Sequence, residues 1–115
     1  MKRVLCVGAF DETVSVDNHF LREARTLGDT LVAVIVNDPL RRRSLAERER
    51  LVLESGLADE VYAIPGTLDE SWMRIASLRP DVIAFSERNN VAENDRIQMY
   101  FARRGINVDY KVIRS

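Results

Sequence analysis

Residues 7–24 read VGAFDETVSVDNHFLREA. An apolar strand ends at Gly8, a short polar turn follows, and a helix begins whose apolar side is set by Phe20, Leu21, Ala24 and, just beyond, Leu27. A strand passed through a glycine into a helix N-terminus is the arrangement by which α/β proteins offer backbone N–H groups to phosphate. This turn carries Asp11, Glu12 and Asp17 instead of basic residues. The stretch therefore has the shape of a phosphate loop without its chemistry.

Outward from it, the same alternation repeats along the chain. The β-branched runs RVLCVG, TLVAVIV, EVYAI, DVIAF and NVDYKVI are separated by helix-length amphipathic segments. SLAERERLVLESG opens on a good N-cap, Ser44. Leu68, Trp72, Ile75 and Ala76 mark a helical face stopped by Pro80; Ile97, Tyr100, Phe101 and Arg104 mark another, closed by Gly105. Strands alternating with helices predict an α/β fold with a doubly wound, five-stranded parallel sheet, because parallel neighbours need right-handed crossovers. Residues 1–115 are expected to form a single domain, and ligands in such sheets sit beyond the carboxyl ends of the strands. That directs attention to residues 8–18, 37–44, 64–68 and 86–93.

Composition narrows the function. Seventeen basic and 18 acidic residues leave a net charge of −1, so nucleic acid and membrane surfaces are not expected partners. The lone cysteine, Cys6, sits in an apolar run and reads as core, and no metal-ligand set is recognised. The N-terminus turns polar too soon for a signal peptide and no stretch approaches the ~20 residues of a membrane span, so a cytoplasmic setting is expected.

MKRVLCVGAFD, LREARTLGDTLVAVIVND, the Glu47–Arg48 pair, LADEV, LRPDVIAF and RRGINVDYKVI together resemble the cytidylyltransferase-like nucleotidyltransferase family. Its archaeal-type FAD synthases and glycerol-3-phosphate cytidylyltransferases are the most similar members. The resemblance covers nearly the whole chain. It implies a Rossmann-like nucleotidyltransferase (HUP-type) sheet of order 3-2-1-4-5 and a homodimer. It also implies a crevice for CTP, ATP or a phosphorylated small molecule, built from Gly8, Phe10, Asp11, Arg41, Arg42, Arg43, Arg48 and Ser86. Arg48 is the leading phosphate contact on this basis. No cofactor is implied beyond magnesium, and that only for an active enzyme.

The family carries an H-x-G-H motif a few residues after G-x-F-D. Counting back from LGD places it on Val14, Ser15, Val16 and Asp17. In the family both imidazoles hold the nucleotide phosphates and stabilise charge on the attacked phosphorus. Here Val14 cannot donate a hydrogen bond, and Asp17 brings negative charge. Two other departures accompany the loss. Ser86 fills the usual glycine position of the base-recognition loop FSERNN, and the family's closing serine and threonine segment is expected to have no counterpart, KVIRS being the last residues.

Single residues also admit plainer roles. His19, the only histidine, is the fallback catalytic donor, but the count from LGD turns it away from the motif. Asp17 or Asn18 is expected as a helix N-cap. The arginines at 41–43 are either an anion clamp or a solvated loop; Trp72 reads as core, and Asp81 as the start of a strand.

Losing both donors costs roughly 5 to 8 kcal/mol of transition-state stabilisation, and an acidic residue near the phosphates adds ~1 kcal/mol in water to ~4 kcal/mol in a partly buried site; together this is a rate drop on the order of a million-fold or more. The sequence is therefore read as a degenerate, catalytically inactive nucleotidyltransferase domain. Two alternatives stand beside it: an active enzyme using arginines or a substrate-borne metal for charge stabilisation, and a structural or interaction domain with an empty crevice.

Overall fold

The computed structural model describes residues 1–36, 42–64, 68–88 and 91–114, with the side chains of 68–71 and 93 set aside. Strands β1 (Arg3–Gly8), β2 (Thr30–Val36), β3 (Glu60–Ile64), β4 (Val82–Ser86) and β5 (Asp109–Ile113) alternate with helices α1 (Val14–Arg25), α2 (Leu45–Ser55), α3 (Leu68–Ser77) and α4 (Val91–Arg103). The strands form one sheet in the order β3-β2-β1-β4-β5. Every pairing is parallel, with Cys6 opposite Ala33 on one side and Ala84 on the other. The expected class and strand order are both present.

β1 is central and apolar at nearly every position because both of its faces are covered. Val4 and Cys6 face Phe20, Leu21 and Ala24 of α1 and Val52 of α2. Leu5 and Val7 face Ile75 of α3 and Ile97 and Phe101 of α4. Burial drives the Cys6 thiol pKa far upward, leaving the sulfur a weak donor to the Val32 carbonyl at 3.6 Å. Cys6 is core, as expected; Trp72 is only partly buried, packed against the core on the α3–α4 side with its ring 6.3 Å from that of Tyr100.

At the amino ends of the strands, three aspartates act as pins. The Asp29, Asp81 and Asp59 carboxylates accept hydrogen bonds from the amides of Lys2 (2.7 Å), Arg3 (2.8 Å) and Leu31 (2.9 Å) respectively. This gives LGD, RPD and LADE a structural reason. Asp81 holds β1 from the residue just before β4, so the strand starts at Val82, one residue later than the start expected at Asp81. Gly28 is needed for close approach: a Cβ there would lie 2.8 Å from both the Lys2 carbonyl oxygen and a Val4 methyl. The other end of the sheet is left free for the site. Among the described residues no helix is long and apolar enough to cross a membrane.

Candidate functional site

The loop leaving β1 turns sharply at Phe10, which has φ 54°. That left-handed conformation costs an aromatic residue ~1 to 3 kcal/mol unless its surroundings enforce it. Here the Phe10 ring is buried with its centroid 5.8 Å from that of Phe20. The next residue, Asp11, is also buried. Its Oδ2 accepts a hydrogen bond from the Arg42 amide at 2.8 Å, and its Oδ1 lies 3.7 Å from the Arg43 guanidinium. Arg43 also donates to the Glu12 carbonyl at 2.9 Å, and Arg42 to the Asp11 carbonyl at 3.4 Å. These two arginines thus hold the loop after β2 onto the loop after β1. Arg41 lies outside the described residues.

Arg48, on the first turn of α2, is 1% exposed. Its guanidinium donates to the carbonyls of Ala9 (2.7 Å), Val36 (3.1 Å) and Arg43 (3.2 Å). It therefore ties together the ends of β1 and β2 and the approach to α2. A planar fork with five donors suits that task better than a lysine would.

The helix start differs from the expected one. Thr13, not Asp17 or Asn18, is the N-cap of α1, and its hydroxyl accepts from the Val16 amide at 3.3 Å. Helix formation therefore begins four residues earlier, and the four positions matching the family motif all lie on the first turn. Threonine followed by two β-branched residues hid this cap, because valine at Val14 and Val16 reads as strand. Val14 is 51% exposed and offers only methyls. Asp17 is half-buried, and its pKa is pushed up to about 6. Desolvation is the largest cause, followed by repulsion from Glu12, with Arg43 opposing and Asp11 adding to the rise.

Gly8, Phe10, Asp11, Glu12, Asp17 and Ser86 line a crevice at the carboxyl ends of β1 and β4, with Arg88 at its rim. Its free volume is about 30 Å³, against ~300 to 1,000 Å³ for sites that enclose drug-sized ligands. Ser86 ends β4, and its hydroxyl accepts from the Arg88 amide at 3.2 Å. The Arg88 guanidinium lies 3.9 Å from the Glu12 carboxylate. Arg88 is the residue that sequence reasoning passed over; its place in FSER, on a loop already marked by the sheet rule, was the available signal.

His19 is exposed and turned away from the crevice, with Nε2 3.1 Å from the Arg114 carbonyl just past β5. The structure brings together Gly8, Phe10, Asp11, Asp17 and Ser86; it places Arg42, Arg43 and Arg48 behind them as struts. Among the described residues no group of three or more His, Cys, Asp or Glu side chains is arranged to hold a metal ion.

No family model matches the chain. The FAD synthase of Aciduliprofundum boonei is 33% identical, aligned over 99% of this chain and 78% of that protein. The FAD synthase of Thermoplasma acidophilum is also 33% identical, over 83% of this chain and 70% of its own length. A solved structure of a lipopolysaccharide core biosynthesis protein from Thermoplasma volcanium superposes with TM-score 0.79 at 24% identity, covering 98% of this chain and 96% of that one. Pantothenate synthetase from Thermus thermophilus gives TM-score 0.68 at 13% identity, over 100% of this chain and 56% of that one. The two structural likenesses concern the fold.

Proposed function

The chain belongs to the FAD synthase family, and we propose that within it this protein is a catalytically silent member that keeps the nucleotidyltransferase scaffold and has lost the transfer chemistry. The observation that carries this is the first turn of α1. A nucleotidyl transfer needs preorganised donors aimed at the phosphate where charge develops. The positions that match the family's imidazoles hold an exposed valine and a carboxylate crowded by Glu12 and Asp11. The nearby arginines do not compensate: Arg42 and Arg43 bind the Asp11 and Glu12 backbone, and Arg48 holds carbonyls. What is left is a weak site for a nucleotide such as ATP or CTP, or for a phosphorylated small molecule.

Two rivals each have an observation in their favour. Arg88 at the crevice rim favours an active transferase, in which magnesium would arrive with the nucleotide. The small free volume favours a structural domain whose crevice binds nothing. Ligand-induced shifts in melting temperature separate them, because a ligand that binds only the folded state stabilises it by mass action. ATP, CTP and FMN are titrated against the protein and against the triple variant Val14→His, Val16→Gly, Asp17→His. The proposal expects a small nucleotide shift that grows in the triple variant. Equal shifts in both proteins would contradict it.

A further inference from the structure

Asp17 stands between two unlike surroundings. On its crevice side are Asp11, Glu12, Ser86 and Arg88; on the other it borders an apolar groove made by Phe10 and Val14 with Leu51 and Val52 of α2. The free volume of that groove is about 10 Å³, no more than one water needs. Asp11 has the Arg43 guanidinium at 3.7 Å, and Glu12 has that of Arg88 at 3.9 Å. Among the described residues Asp17 has no cation within ion-pair distance. The elements packed round it bring Asp11 and Glu12 from the loop after β1, Arg43 from the approach to α2, and Arg88 from the loop after β4. Arg48, the buried cation of α2, is directed to backbone carbonyls. The positive end of the α1 dipole favours ionised Asp17. Burial and two neighbouring carboxylates outweigh it, and the acid keeps its proton up to about pH 6.

We propose that the crevice takes up a phosphate-bearing ligand together with one proton, which sits on Asp17 and makes its carboxyl a hydrogen-bond donor to a phosphate oxygen. This proton-linked binding rests on the reading of the crevice as a weak site for a nucleotide or a phosphorylated small molecule. A carboxylate only accepts hydrogen bonds, whereas the protonated acid has one O–H to give. A position on the first turn of α1 that matches a family imidazole thus carries a donor again, but only in acid. Protonation also leaves two carboxylates instead of three around the incoming anion, each with an arginine beside it. Ser86 and Arg88, from the β4 side, supply a hydroxyl and a guanidinium for other phosphate oxygens. Val14, the second matched position, still offers only methyls, so the proton restores affinity and not transfer.

With binding confined to the protonated crevice, the apparent affinity is scaled by the protonated fraction of the free protein. A midpoint near pH 6 then makes binding about 30-fold weaker at pH 7.5 than at pH 5. Above the midpoint the dissociation constant rises about tenfold per pH unit, the slope of a single linked proton.

Amide shifts in NMR titrations read this directly. Inorganic sulfate, a dianion throughout this range, and ATP are each titrated into the isotope-labelled full chain at pH 5 and pH 7.5, in buffer free of divalent cations. The Ser15, Val16 and Asp17 amides are followed. The dissociation constant for sulfate should be about 30-fold smaller at pH 5. Asp17→Asn, whose side-chain amide donates at every pH, should bind sulfate equally at both values, close to the acid value of the unmodified protein. Any contribution from His19, the only histidine, or from titration of ATP is common to both proteins. Glu12→Gln should move the midpoint of the sulfate profile to lower pH, since it removes a repulsion that holds the proton on Asp17. Equal sulfate affinity at the two pH values, or an Asp17→Asn variant as pH-dependent as the unmodified protein toward either probe, would overturn the proposal while leaving the weak phosphate site standing. Amides silent toward both probes at both pH values, in both proteins, would remove the site itself and the proposal with it.

Discussion

Replacing Asp17 by asparagine should stabilise the protein at neutral pH and leave it unchanged in acid. The carboxyl has a folded-state pKa of about 6 against an ordinary value of 3.8, raised by burial first and by Glu12 next. The folded state thus holds this proton more tightly than the unfolded chain. The stability it confers is fully present below pH 3.8 and is lost as pH rises through about 6. A shift of about two units corresponds to ~3 kcal/mol at ~1.36 kcal/mol per unit. Partial exposure screens the charge and reduces this to ~1 to 1.5 kcal/mol. Asparagine has the shape of the protonated form and never ionises. In a domain of this size the substitution should raise the melting temperature by ~4 to 6 °C at pH 7.5. Thermal melts of both proteins from pH 4 to 8 should show curves that coincide near pH 4, separate progressively up to about pH 6 and stay apart above it. Adding Glu12→Gln should narrow the gap, since it removes one source of the repulsion. A gap constant across the range, or one that opens toward acid, would refute the placement of Asp17 among like charges.

Arg48→Ala should lower stability by ~3 to 5 kcal/mol in urea unfolding, because it leaves the carbonyls of Ala9, Val36 and Arg43 without this donor in a buried setting; Arg48→Lys should recover only part of it, since an ammonium cannot span the three acceptors. Gly28→Ala should cost ~1 to 3 kcal/mol by the same measurement, as the added methyl would meet the Lys2 carbonyl and Val4 at 2.8 Å.

The strands were legible because a sheet covered on both faces demands unbroken apolar runs, and RVLCVG and TLVAVIV have no competing explanation. The start of α1 was less so. Its capping threonine is flanked by valine, whose local preference is for strand, and tertiary packing of Phe20 and Leu21 overrides it. Arg48 shows a different limit. Its place in the family pattern marks it as important, but only the structure shows its guanidinium facing inward to carbonyls.

The most direct test of lost transfer chemistry is a turnover assay on the unmodified protein with magnesium, FMN and ATP labelled in the α-phosphate, run beside one with CTP and glycerol 3-phosphate. With Val14 and Asp17 where phosphate donors are needed, neither FAD nor a CDP-alcohol should form above the rate in buffer. Magnesium-dependent release of pyrophosphate with stoichiometric FAD or CDP-alcohol would contradict that claim, and loss of that turnover in His19→Ala would move the catalytic donor to His19.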